Sequence, residues 1–233
     1  MLQRTEGILL HHFPYSDHTS ILKIYTPEGG VQSYFYRIGK KHRRSGLLQP
    51  LSILDVVSWK EEKKELHQIR EIAAAYPYAS IGNDLFKNTV VLFLNEVLLK
   101  MVREAVPHPE QYHFVKEWLE HFDREDFDPD AHLYFIAHLL AYQGFFPGGE
   151  YSESTSIFDL QEGIFTDSRP RHPRYVEHQV AAHFSALFTD GVHLEIDRLE
   201  RKILLNALME FMAVHIPDCT NFKSLPVLEE IFR

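Results

Sequence analysis

Between Arg37 and Arg44 the chain places five fixed positive charges in eight residues: Arg37, Lys40, Lys41, Arg43 and Arg44, with no acid among them. The segment follows an aromatic run, Tyr34-Phe35-Tyr36. Cations displace counterions from phosphates and rings offer surfaces for bases, so the pairing suits nucleic acid. A solvated basic hairpin whose charges keep a sheet edge from pairing would have the same composition, and spacing alone leaves both readings open. Lys23, two residues before Tyr25, is a further candidate phosphate contact.

Other chemistry finds little support. There is no Gly-x-Gly-x-x-Gly, no phosphate-loop Gly-Lys-Ser/Thr and no Gly-x-Ser-x-Gly elbow. The single cysteine, Cys219, excludes a disulfide framework and a four-cysteine zinc module within the chain, and suits a reducing compartment. Its neighbour Asp218 disfavours a thiolate, so it reads as a buried or incidental thiol. Of the 15 histidines no two stand three or four residues apart, so no helix presents a histidine pair to a metal. His113, Glu117 and His121 do share one helical face, as a partial metal site or as a solvated stripe. Acidic runs such as Glu61-Glu62 and Asp123 to Asp128 read as solvated turns, not as a general acid and base. No catalytic residue, metal site or cofactor is expected, and the chain does not read as an enzyme.

Charge and hydropathy divide the chain. The net charge is −9 and 45% of the 233 residues are hydrophobic, an ordinary globular composition. Residues 1–80 carry 11 Lys/Arg against 8 Asp/Glu, whereas the remainder carries 13 against 25. Such a split suggests two parts with separate partners. The N-terminus lacks the apolar core of a signal peptide, and runs such as Val90-Val91-Leu92-Phe93-Leu94 are too short to span a bilayer. A soluble cytoplasmic protein is expected.

The elements that must position the basic segment follow from periodicity. Strands are predicted at Thr5 to Phe13, Thr19 to Thr26, Val31 to Ile38, Pro50 to Trp59 and Glu65 to Tyr76. The second and third form a hairpin around Pro27-Glu28-Gly29-Gly30. Five strands in fewer than 80 residues fit a closed barrel of the OB type, with an SH3-like barrel or a small open sheet as alternatives. Helices are predicted from Asp84, capped by Asn83, to about Glu104; from about Pro109 to Phe122, with Tyr112, Val115, Leu119 and Phe122 inward; and from Asp128 to about Gln143. After an irregular stretch from Phe145 to Arg174, two more span about Tyr175 to Phe188 and about Asp197 to His215, and Ser224 to Phe232 adds a last turn. The expected fold is α+β: a five-stranded OB-type β-barrel over residues 1–80, then an all-helical domain over 81–233 with an irregular insert at about 145–174.

Taken in order along the chain, several segments resemble the RecO family of bacterial recombination mediators, in the variant found in Bacteroidetes-type bacteria. They are Thr5 to Leu10, Tyr15 to Ser20, Ile24 to Gly30, Gly39 to Ser45 with its Gly-x-basic-basic pattern, Leu48-Gln49-Pro50, Leu140 to Pro147, Phe158 to Gly163 and Lys223 to Leu228. The resemblance implies an OB-fold domain followed by a helical domain. It implies binding of single- and double-stranded DNA, annealing of complementary strands, and partnership with RecR and with the acidic tail of single-stranded-DNA-binding protein so that RecA is loaded. DNA contact is carried onto Arg37, Lys40, Lys41, Arg43 and Arg44, which match the basic segment. Many family members hold zinc through four cysteines in the insert. Residues 144–175 contain none here, so packing by Ile157, Phe158, Leu160, Ile164 and Phe165 is expected to hold that stretch. Two other readings stand beside this one: a docking adaptor with the same fold and little DNA affinity, motivated by the net charge, and a metal enzyme or hydrolase, motivated by the histidines.

Overall fold

The computed structural model describes residues 2–16, 18–37, 46–59, 66–102, 104, 106–189 and 191–232. These fall into two compact units, 1–127 with Phe232, and 128–231.

The first unit is built on five strands: β1 (Leu2–Ser16), β2 (Thr19–Thr26), β3 (Gly30–Arg37), β4 (Ile53–Trp59) and β5 (Leu66–Tyr76). They close into a barrel in the order β1-β2-β3-β5-β4, the predicted OB-type architecture. Closure depends on β1 serving two neighbours. Its first half pairs antiparallel with β4, from Leu2 opposite Trp59 to Ile8 opposite Ile53. Its second half pairs with β2, from Ile8 opposite Tyr25 to Ser16 opposite Thr19. Gly7 lies just before the changeover, where an added Cβ would stand 2.4 Å from Ile24 Cγ2 and 3.0 Å from the Tyr25 carbonyl. The β2–β3 turn ends on Gly30, at φ 61°, where a Cβ would meet the Val106 backbone at 2.5 Å. Only glycine satisfies both constraints there. The barrel interior holds Leu9, Leu22, Ile24, Tyr34, Tyr36, Leu54, Val56, Ile69 and Ile72, the inward set of the period-2 alternation.

Two helices complete this unit, α1 (Leu85–Met101) and α2 (Pro109–Arg124). Asp84, not Asn83, caps α1, with Oδ1 accepting from the Phe86 and Lys87 amides; Asn83 instead donates to the Ala79 carbonyl. α2 buries Tyr112, Val115, Leu119 and Phe122, as the spacing predicts. It is fastened to the barrel at Glu6, whose Oε1 accepts from Tyr112 Oη at 3.2 Å and from Lys116 Nζ at 2.7 Å. The Tyr25 and Tyr112 rings meet edge to face at 5.5 Å.

The second unit contains α3 (Ala131–Tyr142), a small sheet of β6 (Ile157–Asp159), β7 (Ile164–Thr166) and β8 (Tyr175–Glu177) in the order β7-β6-β8, then α4 (His178–Ala186), α5 (Arg198–His215) and α6 (Leu225–Ile231). A helix predicted from Tyr175 begins instead at His178, because Tyr175 to Glu177 pair with β6 and His178 turns the chain at φ 51°. Asp197 and Glu200 close α5 with a reciprocal capping box. The insert is held by packing, with Phe158 against Phe184 at 4.6 Å, Phe165 at 4.7 Å and Phe211 at 5.8 Å. Ile157, Phe158, Leu160 and Phe165 are buried as expected, but Ile164 is exposed, since period 2 turns it away from Phe165 on a three-residue strand.

Candidate nucleic-acid interface

The residues read from the sequence as DNA contacts fall unevenly on the structure. Lys40, Lys41, Arg43 and Arg44 lie outside the described residues. Arg37 closes β3, opposite Thr19 of β2, and is exposed. Lys23 sits in the middle of β2, where its Nζ makes an ion pair with Glu104.

The aromatic run divides between two faces. Tyr34 and Tyr36 point inward and belong to the barrel core, where burial raises the Tyr34 hydroxyl to about 12, with Glu28 adding to the shift. They are therefore closed to bases, contrary to the expectation that the whole run serves as a stacking surface. Phe35, between them, faces out. It is not alone there. Phe13 of β1 pairs with Ile21 of β2, Ile21 with Phe35, Phe35 with Gln68 of β5, Gln68 with Trp59 of β4, and Trp59 with Leu2 of β1. This single row of paired positions circles the outside of the barrel. On it Phe13 is 43% exposed and Trp59 48% exposed, and Tyr15, which is 69% exposed, meets the Phe35 ring edge to face at 6.0 Å.

The sequence alone does not reveal this row. Each strand's alternation shows which residues face out, but the row needs the register of five strands, which depends on bulges at Leu9/His11, Pro14/Ser16, Ile53/Leu54 and Val57/Ser58. The usable signal was Trp59 at an outward position beside Lys60, Lys63 and Lys64.

Elsewhere the structure revises the acidic run. Asp123 is not a solvated turn residue but is buried, with Oδ1 accepting from the Ser80 and Ile81 amides and Oδ2 from the Ala79 amide, each at 2.9 Å. Burial alone would push its carboxyl up; these backbone hydrogen bonds outweigh that and hold it below the usual value. Lys87, also buried, donates to Ser80 Oγ at 2.7 Å and to the Glu125 carbonyl at 2.5 Å. The cluster joins the end of β5 to the two helices and is structural.

His113, Glu117 and His121 line the exposed face of α2. Among the described residues no three His, Cys, Asp or Glu side chains gather as a metal site. A zinc site in the insert does not fit this chain: residues 144–175 supply no thiolate. The Asp159 carboxylate there caps its own turn through the Gln161 and Glu162 amides, with His172 at 3.3 Å. No described helix is long and apolar enough to cross a membrane.

Comparison with known proteins covers the whole chain. Residues 1–78 match the family model described as Recombination protein O N terminal, and residues 82–155 match Recombination protein O C terminal. A DNA repair protein RecO from Flavobacterium johnsoniae is 30% identical, over 98% of this chain and 98% of its own length. Proteins of the same name from Phocaeicola vulgatus and Bacteroides fragilis are each 29% identical, over the full length of both chains.

Proposed function

This chain belongs to the RecO family, and from that premise we propose that it is a DNA repair and homologous-recombination mediator. In this reading residues 1–80 form the DNA-binding domain and 81–233 a helical partner-binding domain. The protein binds single- and double-stranded DNA, anneals complementary strands, and with RecR helps load RecA onto DNA coated by single-stranded-DNA-binding protein, whose acidic tail it also engages. It works in the bacterial cytoplasm, at the nucleoid, and is not an enzyme.

The observation that supports this most directly is the outer barrel face, where Phe35, with exposed Tyr15 against its ring, lies two residues from exposed Arg37 and the basic segment continues from it. Annealing breaks and makes no covalent bond. It needs two strands held close with their repulsion screened and their bases free to pair. Phosphate contacts from Arg37, Lys40, Lys41, Arg43, Arg44 and Lys23 supply affinity without sequence preference. The acidic remainder of the chain repels phosphates, which leaves the basic segment and the barrel as the DNA surface.

The test is fluorescence anisotropy with a labelled single-stranded oligonucleotide at several salt concentrations. Engagement of four phosphates gives a log–log slope of about −3, from about −0.7 per neutralised phosphate on a single strand. Arg43→Glu with Arg44→Glu is expected to abolish most of the affinity; unchanged affinity would show that the site assignment is wrong. The adaptor reading draws on the net charge of −9 and on Glu104 holding Lys23. It predicts no binding to naked DNA even at low salt, with a firm complex when RecR is added.

A further inference from the structure

The outward row that carries Phe35 and Trp59 has a second row beside it. Two residues further along each strand, on the same outward face, stand Arg37 after Phe35, Arg70 after Gln68 and Arg4 after Leu2, with Val57 of β4 opposite Arg4. The bulge between Val57 and Ser58 leaves Arg70 as the extra residue of β5 and turns it to solvent. A row bearing two rings and a row bearing three guanidiniums, the latter interrupted by Val57 and its partner Glu71, therefore run side by side across β3, β5, β4 and the start of β1. Two residues of strand separate them, about 7 Å, and the strands of Phe35 and Trp59 stand about 10 Å apart on either side of Gln68.

We infer that this face is a single-strand track, distinct from the basic segment after Arg37: bases stack on Phe35 and Trp59 while the phosphates follow Arg37, Arg70 and Arg4. The inference rests on the DNA-binding reading above and adds a specificity to it. Rings capture only bases that have left a duplex, because in a double helix the faces of the bases are already stacked. Gln68, exposed and paired with both Phe35 and Trp59, stands between the two rings, so its amide is available to the edge of a base held there. Arg4 is ion-paired with Asp55 at 2.9 Å and Arg70 lies 3.7 Å from Glu71, but both arginines are more than half exposed. Exposed pairs of this kind are weak and exchange readily for a phosphate. A scattered exposed ring needs no explanation; here exposed Trp59 and half-buried Phe35 share one row, with Arg37 two residues beyond Phe35 and Arg4 and Arg70 diagonal to Trp59 on its two neighbouring strands, and that arrangement has a common one.

The experiment uses the full chain with Trp118→Phe, which leaves Trp59 as the sole tryptophan of the two in the sequence. It is titrated with a thymidine 20-mer and with a duplex of equal length, and labelled oligonucleotides report binding independently by anisotropy. Trp59 emission is expected to be quenched saturably by the single strand and not by the duplex. Trp59→Ala and Phe35→Ala are each expected to weaken single-strand binding about 5- to 150-fold, the range for loss of one stacked base, with duplex affinity held within twofold. Trp59→Phe restores most of the loss, and circular dichroism confirms the fold of each variant. Trp59 emission that stays constant while anisotropy reports binding would overturn the track, as would equal losses for single strand and duplex. Variants that bind DNA normally but lose a protein partner would reassign the face to that partner. Failure of the parent protein to bind either oligonucleotide would overturn the DNA-binding reading itself, a result separable from the others because it appears before any ring is changed.

Discussion

Lys87 reaches Asp123 through the main chain: its ammonium donates to the Asp123 carbonyl at 3.3 Å, while the Asp123 carboxylate is occupied by the amides of Ala79, Ser80 and Ile81. Two opposite charges are thus buried in one cluster, the carboxylate satisfied chiefly by backbone amides and the ammonium by the Asp123 and Glu125 carbonyls and the Ser80 hydroxyl. The segment leaving β5 would otherwise leave three amides without a protein partner, and for the buried Ile81 amide that is a serious cost. Asp123→Asn replaces one acceptor oxygen with an NH2 group that confronts an amide, and is expected to cost about 2–3 kcal/mol. Because the folded carboxyl sits below its ordinary value, its contribution is complete above about pH 4 and fades as pH falls through the lower folded value. Urea unfolding at a series of pH values is therefore expected to show the full gap between the two proteins at pH 7 and a narrowing gap below pH 4.

A second acid-sensitive group lies in the other unit. His132 is fully buried on α3, and burial, with Arg201 adding to it, lowers its imidazole to about 3. Arg201 is ion-paired with Asp130, at the start of the same helix. The unfolded chain takes up a proton on this histidine near pH 6.5, whereas the folded chain does not until about pH 3. Stability therefore falls as pH drops through that window, by up to about 1.4 kcal/mol per pH unit. His132→Leu is expected to flatten the decline between pH 6.5 and 4, whatever its effect at pH 7. A slope identical to that of the parent protein would assign the decline to other groups.

The barrel was legible because strands such as β2 and β3 alternate and the turn between them carries glycine where φ is positive: Gly30 could be placed from Pro27-Glu28-Gly29-Gly30 alone. The inner face of α2 was legible for the same reason, with Tyr112, Val115, Leu119 and Phe122 at helical spacing. What failed was whatever depended on a partner distant in sequence. Tyr175 to Glu177 became strand because β6 offered an edge. Asp123 became a buried acceptor because a loop more than forty residues earlier supplied its donors. Of the candidate site, the charges were visible as composition, but Tyr34 and Tyr36 could be separated from Phe35 only once the barrel interior was known.

Lys23 tests how far the basic character of the barrel is held in reserve. It faces outward on β2, two residues from Ile21, which stands between Phe13 and Phe35 on the ring-bearing row. Its ammonium is held by Glu104, whose side chain is 68% exposed, so the pair contributes little to stability and salt screens it. Glu104→Gln keeps a hydrogen-bonding side chain and removes the charge. If Lys23 is a phosphate contact, the variant is expected to bind a single-stranded oligonucleotide a few-fold more tightly at low salt. Its log–log salt slope is expected to steepen by about 0.7, the increment for one further neutralised phosphate on a single strand. Adding Lys23→Ala should then remove both the gain and the extra slope. A Glu104→Gln protein with unchanged slope would take Lys23 off the DNA path and leave the affinity to the other cations.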